Sequence, residues 1–439
     1  MLFIQNVLWY LILIGVMIMI HELGHYWAAR FFDVRVETFS FGFGPRLFGF
    51  KRGETDFRFS AILFGGYVKM TGEQTGESGT SDPRSLNAKP RWQRAIIAFA
   101  GPAINVVLAV GLLAGLYMFR YPHIPNPPSP KIGYLAPDGA AAKAGIRVGD
   151  QVVQIDDVSD PTWEQIAVKE VTSARHTLNV WVKRGDERLH IPVTPVLEEK
   201  QGIGNAGWAQ EMRIRIAGFV PGIGAAEKAG IRAGDVLVSA NGKPINSAGA
   251  LNEIISAAPG SPVDIVYARN GQEMHALVMP AQHEIDGKER WMVGVALEPL
   301  VEITRLGPAQ ALYESCRQNY QSAQMIFKFL EGIVERRLSP KSLEGPIRIA
   351  QLSGESAREG AISYFGLMAA VSLNLAVFNL LPIPILDGGV ILMLFVEMLM
   401  RRDLDLRVKE AVVKVGFVFL MVVVVFVIYN DLSKILAPS

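Results

Sequence analysis

The stretch Val16-Met17-Ile18-Met19-Ile20-His21-Glu22-Leu23-Gly24-His25-Tyr26-Trp27 sets a His-Glu-x-x-His motif at the end of an unbroken apolar run. On a helix His21 and His25 lie four residues apart, so both imidazoles leave one face and can share one Zn²⁺, with Glu22 beside them as candidate general base. Ionisable residues at membrane depth are costly and are usually functional, so the apolar setting favours a metal site over a chance histidine pair on a surface helix. Two imidazoles leave the site one ligand short, because a catalytic zinc normally takes three protein ligands plus water.

Composition bounds the setting. Half of the 439 residues are hydrophobic, which makes the chain too apolar to be wholly soluble and too long for one ordinary domain. A net charge of +1 gives no footprint for nucleic acid. Cys316 is the only cysteine, so intramolecular disulfides and a Cys-rich zinc knuckle are both excluded, and a metal must use His and carboxylate ligands. The segment Met1 to Gln5 lacks the basic region and cleavage site of a secretory signal, and the first apolar segment is expected to be retained.

Four apolar stretches can span roughly 30 Å of hydrocarbon: residues 7–30, 95–119, 364–398 and 412–429. The third is interrupted by Pro382, Pro384 and Gly388-Gly389, and a broken helix is tolerated in a membrane only where it is buried in protein or lines a cavity. Residues 30–94 carry 11 Lys/Arg, and the loop before the fourth span carries Arg401, Arg402, Arg407 and Lys409. The positive-inside rule then places both loops on the cytoplasmic side, and both termini with residues 120 to about 360 outside. Between the first two spans Phe39, Phe41, Phe43, Phe57 and Phe59 alternate with small or polar residues, which predicts β-hairpins at the membrane face, with a sharp loop at Gly42-Phe43-Gly44-Pro45. Such a sheet edge can hold an extended peptide by β-addition. Residues 71–82 read as a flexible loop.

A Pro-rich linker at 121–130 leads to an internal repeat. Lys143-Ala144-Gly145-Ile146-Arg147-Val148-Gly149-Asp150 returns 85 residues later as Lys228-Ala229-Gly230-Ile231-Arg232-Ala233-Gly234-Asp235. Each copy reads as a strand, a short Ala-rich helix, a Gly-Asp turn and β-branched strands. This pattern resembles the PDZ domain in a bacterial arrangement with the ligand-loop strand first. That resemblance implies peptide-receiving loops at Gly133, Tyr134 and Leu135 and at Gly218, Phe219 and Val220, although the pair can equally serve as a steric filter that binds nothing. Residues 310–337 have the spacing of an amphipathic helix.

Asp387 is the only carboxylate between Glu359 and Glu397. Alone it reads as the N-cap of a helix restarting at Gly388. Set beside a two-histidine site with a ligand missing, it reads as the third ligand, since a carboxylate in hydrocarbon needs a partner and Zn²⁺ is the strongest available. Together with Gly42 to Pro45, Lys89-Pro90-Arg91-Trp92-Gln93-Arg94, Gly101-Pro102-Ala103-Ile104-Asn105, the repeat pair, Gly345-Pro346-Ile347 and Asn379 through Gly388, these motifs make the chain resemble the site-2 proteases over nearly its full length. These are intramembrane zinc metalloproteases, and the likeness is to the bacterial regulator of sigma-E protease type with tandem PDZ domains. The resemblance implies one Zn²⁺ on His21, His25 and Asp387, with Glu22 catalytic. It also implies that Asn379 and Asn374 hold the substrate backbone, and with Pro382 and Pro384 they are the candidate substrate-binding positions. Val390 stands where many relatives have His and touches no assigned role.

The fold class expected is a polytopic α-helical membrane protein with four transmembrane segments, the third broken, a membrane-associated β-hairpin region and two external PDZ-like α+β domains. Its parts are a first transmembrane helix (1–35), hairpin region and loop (36–93), second transmembrane helix (94–120), linker (121–130) and PDZ-like domains (131–209 and 210–300). An amphipathic helix and connector (301–360), the broken span (361–400), a cytoplasmic loop (401–411) and a fourth transmembrane helix (412–432) complete the chain. The resemblance further implies a bacterial inner membrane, periplasmic PDZ-like domains, and substrates that are single-span proteins shortened by a first external cut, such as anti-sigma factors, or leftover signal peptides. The partners expected are these proteins and membrane lipid, with no nucleic acid. The rival is a non-proteolytic PDZ membrane adaptor with a structural or vestigial metal site, against which Glu22 argues because a structural site needs no such carboxylate. A transporter with an intramembrane metal fits the broken helix but not the repeats.

Overall fold

Residues 2–73, 82–123, 129–198, 202–220, 222–285 and 288–436 are described in the computed structural model of the chain. They form two compact units, one of Met1–Tyr121, Arg305–Phe327 and Leu343–Leu436, the other of Pro122–Thr304 and Lys328–Ser342. In chain order the helices are α1 (Leu2–Phe31), α2 (Arg91–Phe119), α3 (Ala140–Ala144), α4 (Trp163–Thr172), α5 (Ala225–Lys228) and α6 (Ala248–Ala257). After these come α7 (Pro308–Val334), α8 (Pro346–Glu359), α9 (Ala361–Asn379), α10 (Asp387–Met400) and α11 (Leu406–Leu436). The strands are β1 (Val36–Arg52), β2 (Thr55–Met70), β3 (Tyr121–His123), β4 (Ile132–Leu135), β5 (Gln151–Ile155), β6 (Val158–Ser159), β7 (Leu178–Arg184), β8 (Glu187–Val193), β9 (Val196–Glu198) and β10 (Ile203–Asn205). The second half holds β11 (Trp208–Gln210), β12 (Ile214–Phe219), β13 (Val236–Ala240), β14 (Lys243–Pro244), β15 (Val263–Arg269), β16 (Gln272–Val278), β17 (Ala281–Ile285), β18 (Lys288–Met292), β19 (Val295–Pro299) and β20 (Glu302–Thr304).

In the helical unit α1, α2, α9 and α11 are long and apolar enough to cross a membrane. They overrun the apolar cores read from sequence because a helix keeps hydrogen bonding through polar residues that hydropathy excludes; α11 takes in Arg407, Lys409 and Lys434. The third span is broken as expected, into α9 and α10. α2 packs against α1, α9 and α10, and Leu13 and Met17 of α1 are buried with Tyr364 and Met368 of α9. α11 is nearly bare, with Val418, Val422 and Val425 61–67% exposed. A face of that kind requires an apolar solvent.

β1 and β2 are two long strands that each bend, so their pairing makes four short segments. Residues 46–52 pair with 55–60, those pair also with 38–41, and 38–41 pair on their other side with 66–70. The bend in β1 falls at Gly42 and Gly44, both at positive φ, which is the sharp loop expected there. Phe39, Val68 and Met70 are buried against Ala29 of α1 and Ile97 of α2, fixing the 66–70 segment beside those helices. Of the loop expected at 71–82, residues 74–81 lie outside the described residues, as do 124–128 of the Pro-rich linker.

The second unit contains the repeat. α3 and α5 are followed by Gly145 and Gly230 at positive φ, and β5 and β13 by antiparallel partners β7 and β15. Each copy has its own core, around Ile132, Val152, Ile166 and Val180 in the first and Ile216, Leu237, Leu251 and Ile265 in the second. Each of the expected peptide-receiving loops is paired along one edge. β12 lies between β13 and β19, with Gly218 paired to Ala296 and Phe219 to Val295, and Val220 N–H donates to Gly294 O. In the first copy Tyr134 and Leu135 pair with Ala209 and Trp208, while Gly133 lies against the backbone of Glu211 and the Tyr134 ring against Gly249. A peptide added on the β19 side of Gly218 and Phe219, or on the β11 side of Tyr134 and Leu135, would displace a resident strand, whereas β13 reaches β12 only at Ile214 and Arg215. Among the described residues the sheet of the second copy ends at β19.

Candidate metal centre

His21 and His25 point from one face of α1, both buried, with their Nε2 atoms 3.2 Å apart. Asp387 meets them from the first turn of α10, its Oδ2 3.1 Å from His21 Nε2 and its Oδ1 3.5 Å from His25 Nε2. The break between α9 and α10 makes this approach possible. Ile385 there has φ 88°, a conformation a β-branched residue rarely adopts, and such strain is concentrated at functional sites. Asp387 is not the cap of α10: the N-cap position is Leu386, and no side chain makes a capping bond. At the far end of α10 the buried Glu397 accepts from Lys409 Nζ at 2.5 Å and from Leu404 N–H at 3.0 Å, which fixes the helix below the cluster.

The three side chains fit zinc. Donors at about 2.0–2.1 Å on a tetrahedron lie ~3.4 Å apart, close to the three separations just given. His25 Nδ1–H donates to the Ile97 carbonyl at 2.8 Å, which leaves its Nε2 lone pair free toward the cluster. Two imidazole nitrogens and a carboxylate brought together with so little else between them call for a cation. Close helix packing is needed to hold them there. A Cβ on Gly101 would sit 2.3 Å from His25 Nε2, and one on Gly24 would sit 2.3 Å from Ala100 O, so glycine at both positions lets α2 press directly on the two histidines.

A sequence model of peptidase family M50 matches residues 9–423. The chain belongs to peptidase family M50. Regulator of sigma-E protease RseP of Salmonella typhimurium is 30% identical over 98% of this chain and 100% of its own length. RseP of Escherichia coli K12 is 28% identical over 99% of each chain, and a Neisseria meningitidis protein whose name includes the words "zinc metalloprotease" is 28% identical over 98% of this chain and 100% of its own. This M50 peptidase is therefore a zinc-dependent membrane metalloprotease of the intramembrane site-2 type, and the adaptor and transporter readings give way to an enzyme.

The cluster opens into a cavity of about 350 Å³. Of the residues singled out by sequence, His21, Glu22, His25, Asn379, Asp387 and Val390 line it, and Asn379 Nδ2 lies 3.4 Å from His21 Nε2. Asn374 is exposed on α9 and does not reach it, because five residues along a helix turn a side chain well away from that of Asn379. Neither Pro382 nor Pro384 lines it; Pro382 is exposed and Pro384 packs against Gly416 of α11. Tyr67 and Val68 of the hairpin form another wall, with Arg94 of α2 and Glu73, whose carboxyl is pushed above its ordinary range by burial. Sequence reasoning had left Ile97, Gly101 and Asn105 without roles. Asn105 carried a signal, being the only polar side chain of α2 between Arg94 and Tyr117 within an apolar run.

Proposed function

We propose that this peptidase holds its zinc on His21, His25 and Asp387, uses Glu22 as general acid and base, and cuts peptide bonds within the transmembrane segments of single-span proteins. The observation that carries the reading is the convergence of these side chains in one cavity among apolar helices. When bound there, zinc supplies a Lewis acid that polarises a carbonyl and acidifies water. Glu22 takes the proton of the attacking water and returns it to the departing amide nitrogen. The 66–70 segment is paired on one side with 38–41 and faces the cavity through Tyr67 and Val68, so an extended substrate strand can add along it, with the Asn379 amide as a further polar contact. A substrate helix has to unwind to be cut, since an intact helix hides its carbonyls. Helix-breaking residues near the cut site should therefore speed cleavage, and acceleration by helix-stabilising substitutions would refute this step.

The two repeats serve as periplasmic PDZ-like domains of an inner-membrane enzyme, with both termini on the same side. Substrates are proteins already shortened outside, of the anti-sigma factor kind, and remnant signal peptides. The repeats exclude partners with bulky ectodomains, and any peptide they take adds at an edge that no resident strand covers. Deleting residues 126–300 should permit cleavage of an uncut single-span substrate; unchanged selectivity for shortened substrate would refute the filter.

A further inference from the structure

Asn105 is completely buried on α2, one helical turn beyond Gly101, with its side-chain amide 3.3 Å from His21 Nδ1. Its Oδ1 is buried without a hydrogen-bond partner among the described residues. Ser372 Oγ of α9 donates to the Asn105 backbone carbonyl at 2.9 Å, so the residue is held at a fixed height between the two helices. As placed, Nδ2 faces His21 Nδ1, which suits a histidine whose proton is on Nε2 and directed at Asp387 Oδ2. A zinc ligand needs the other tautomer. With Nε2 freed for the metal the proton sits on Nδ1, and an NH₂ group facing it would set donor against donor. The oxygen and nitrogen of an Asn amide exchange places by a half-turn that costs no space, and the orphan oxygen then lies where the Nδ1 proton points.

We infer that Asn105 is a positioning residue for the metal, whose Oδ1 accepts the His21 Nδ1 proton and holds that imidazole in the zinc-binding tautomer. His25 has a fixed acceptor in the Ile97 carbonyl, which suits only one tautomer. His21 has a side-chain amide that can serve both, so the chain can fold around a metal-free site and still present Nε2 when zinc arrives. Outer partners of this kind typically change metal affinity by 10–100-fold when removed.

The inference rests on His21 being a ligand, and the experiment separates the two. Zinc affinity is measured by chelator competition on the purified full-length chain carrying Asn105→Leu, Asn105→Asp or His21→Ala. Leu keeps the branched shape of Asn, with bulkier methyl groups and no acceptor, and should bind zinc roughly 10–100-fold more weakly than wild type. Asp is an acceptor only, and should bind at least as tightly as wild type. Asp would fail if Asn105 acted through its NH₂ group, so tenfold weaker binding by Asn105→Asp overturns the inference even if the Leu variant does not fold. Unchanged affinity in a folded Asn105→Leu overturns it as well. Wild-type zinc affinity in His21→Ala would instead remove the ligand assignment beneath it.

Discussion

Asp150 and Asp235 are as buried as any carboxylate in the second unit, and Asp387 is part-buried in the first, but the three are held in opposite ways. Asp150 accepts from Arg184 Nε and Nη2 at 2.8 and 2.7 Å and from Arg147 N–H at 2.8 Å. Asp235 repeats this with Arg269 at 2.8 and 2.7 Å and Arg232 N–H at 2.7 Å, and both arginines also reach a helix-end carbonyl, Gly145 O and Gly230 O, at 2.8 Å. These are self-contained ion pairs copied with the fold. Among the described residues Asp387 makes no ion pair with arginine or lysine and meets two imidazoles, an arrangement with no counterpart there. On the proposed reading, the buried charges that recur with their own partners serve folding, and the one that meets only imidazoles serves chemistry.

The comparison breaks if the two kinds of carboxylate respond alike to the same substitution. Asp387→Asn should lower zinc content and reduce cleavage of a model transmembrane substrate by roughly 10³-fold or more, since the metal supplies both water activation and carbonyl polarisation. Asp150→Asn should keep one zinc per chain. Metal analysis beside the cleavage assay checks both, and full activity in Asp387→Asn would remove that residue from the site. Glu22→Gln sharpens the contrast within the cluster itself. It should retain zinc and lose roughly 10²–10⁴-fold in rate, the ordinary range for a general acid and base; loss of zinc along with activity would make Glu22 a ligand instead.

How much of this was legible depended on the range of the signal. His21, Glu22 and His25 are local, because helical spacing alone brings them together, and the four apolar spans and the repeat are patterns along one line of sequence. Asp387 was reachable by elimination, as the lone carboxylate of a broken apolar segment. The pairing of β4 with β11 and of β12 with β19 was not, because those partners are more than 70 residues apart and periodicity says nothing about which edge of a strand is covered. For that reason sequence could not tell that one edge of each expected peptide loop is covered. Asn374, Pro382 and Pro384 lie off the cavity for a related reason: neighbours in sequence at a helix break point in different directions. Ile97, Gly101 and Asn105 contribute a carbonyl, an absent side chain and one amide, which become informative only once α2 is seen against α1.

A smaller effect tests the folding side. Asp150→Asn should destabilise its copy by about 2 kcal/mol, the usual range for hydrogen bonds to a charged group, and less than a fully buried pair would lose because Arg184 is partly in solvent. Asp235→Asn should match it closely, since the geometry is the same to within 0.1 Å. Thermal unfolding of the two variants in parallel is the measurement. A difference of several kcal/mol between them would show that the repeats do not use the pair alike.

Glu170 is the case on which the distinction is most exposed, because it is a carboxylate of the repeat unit that does not recur: Ile255 occupies the equivalent place in the second copy. By occurrence alone it would be a candidate for chemistry. Its contacts say otherwise, since it accepts from Ala206 N–H at 2.6 Å and Trp208 Nε1–H at 2.8 Å, both within its own copy. Burial raises its carboxyl above the ordinary 4.5 despite those two donors. The folded state then binds a proton more readily than the unfolded state, so the contribution is fully present below about pH 4.5 and is lost as pH rises through the raised folded value. The first copy should accordingly gain stability as pH falls from 7 toward 5, and Glu170→Gln should flatten that part of the profile while leaving zinc content and cleavage of a short substrate unchanged. Unfolding followed over that pH range decides it. A Glu170→Gln variant with an unaltered pH profile but impaired cleavage would place this residue with Asp387 rather than with Asp150, and the rule drawn from recurrence would then outrank the one drawn from partners.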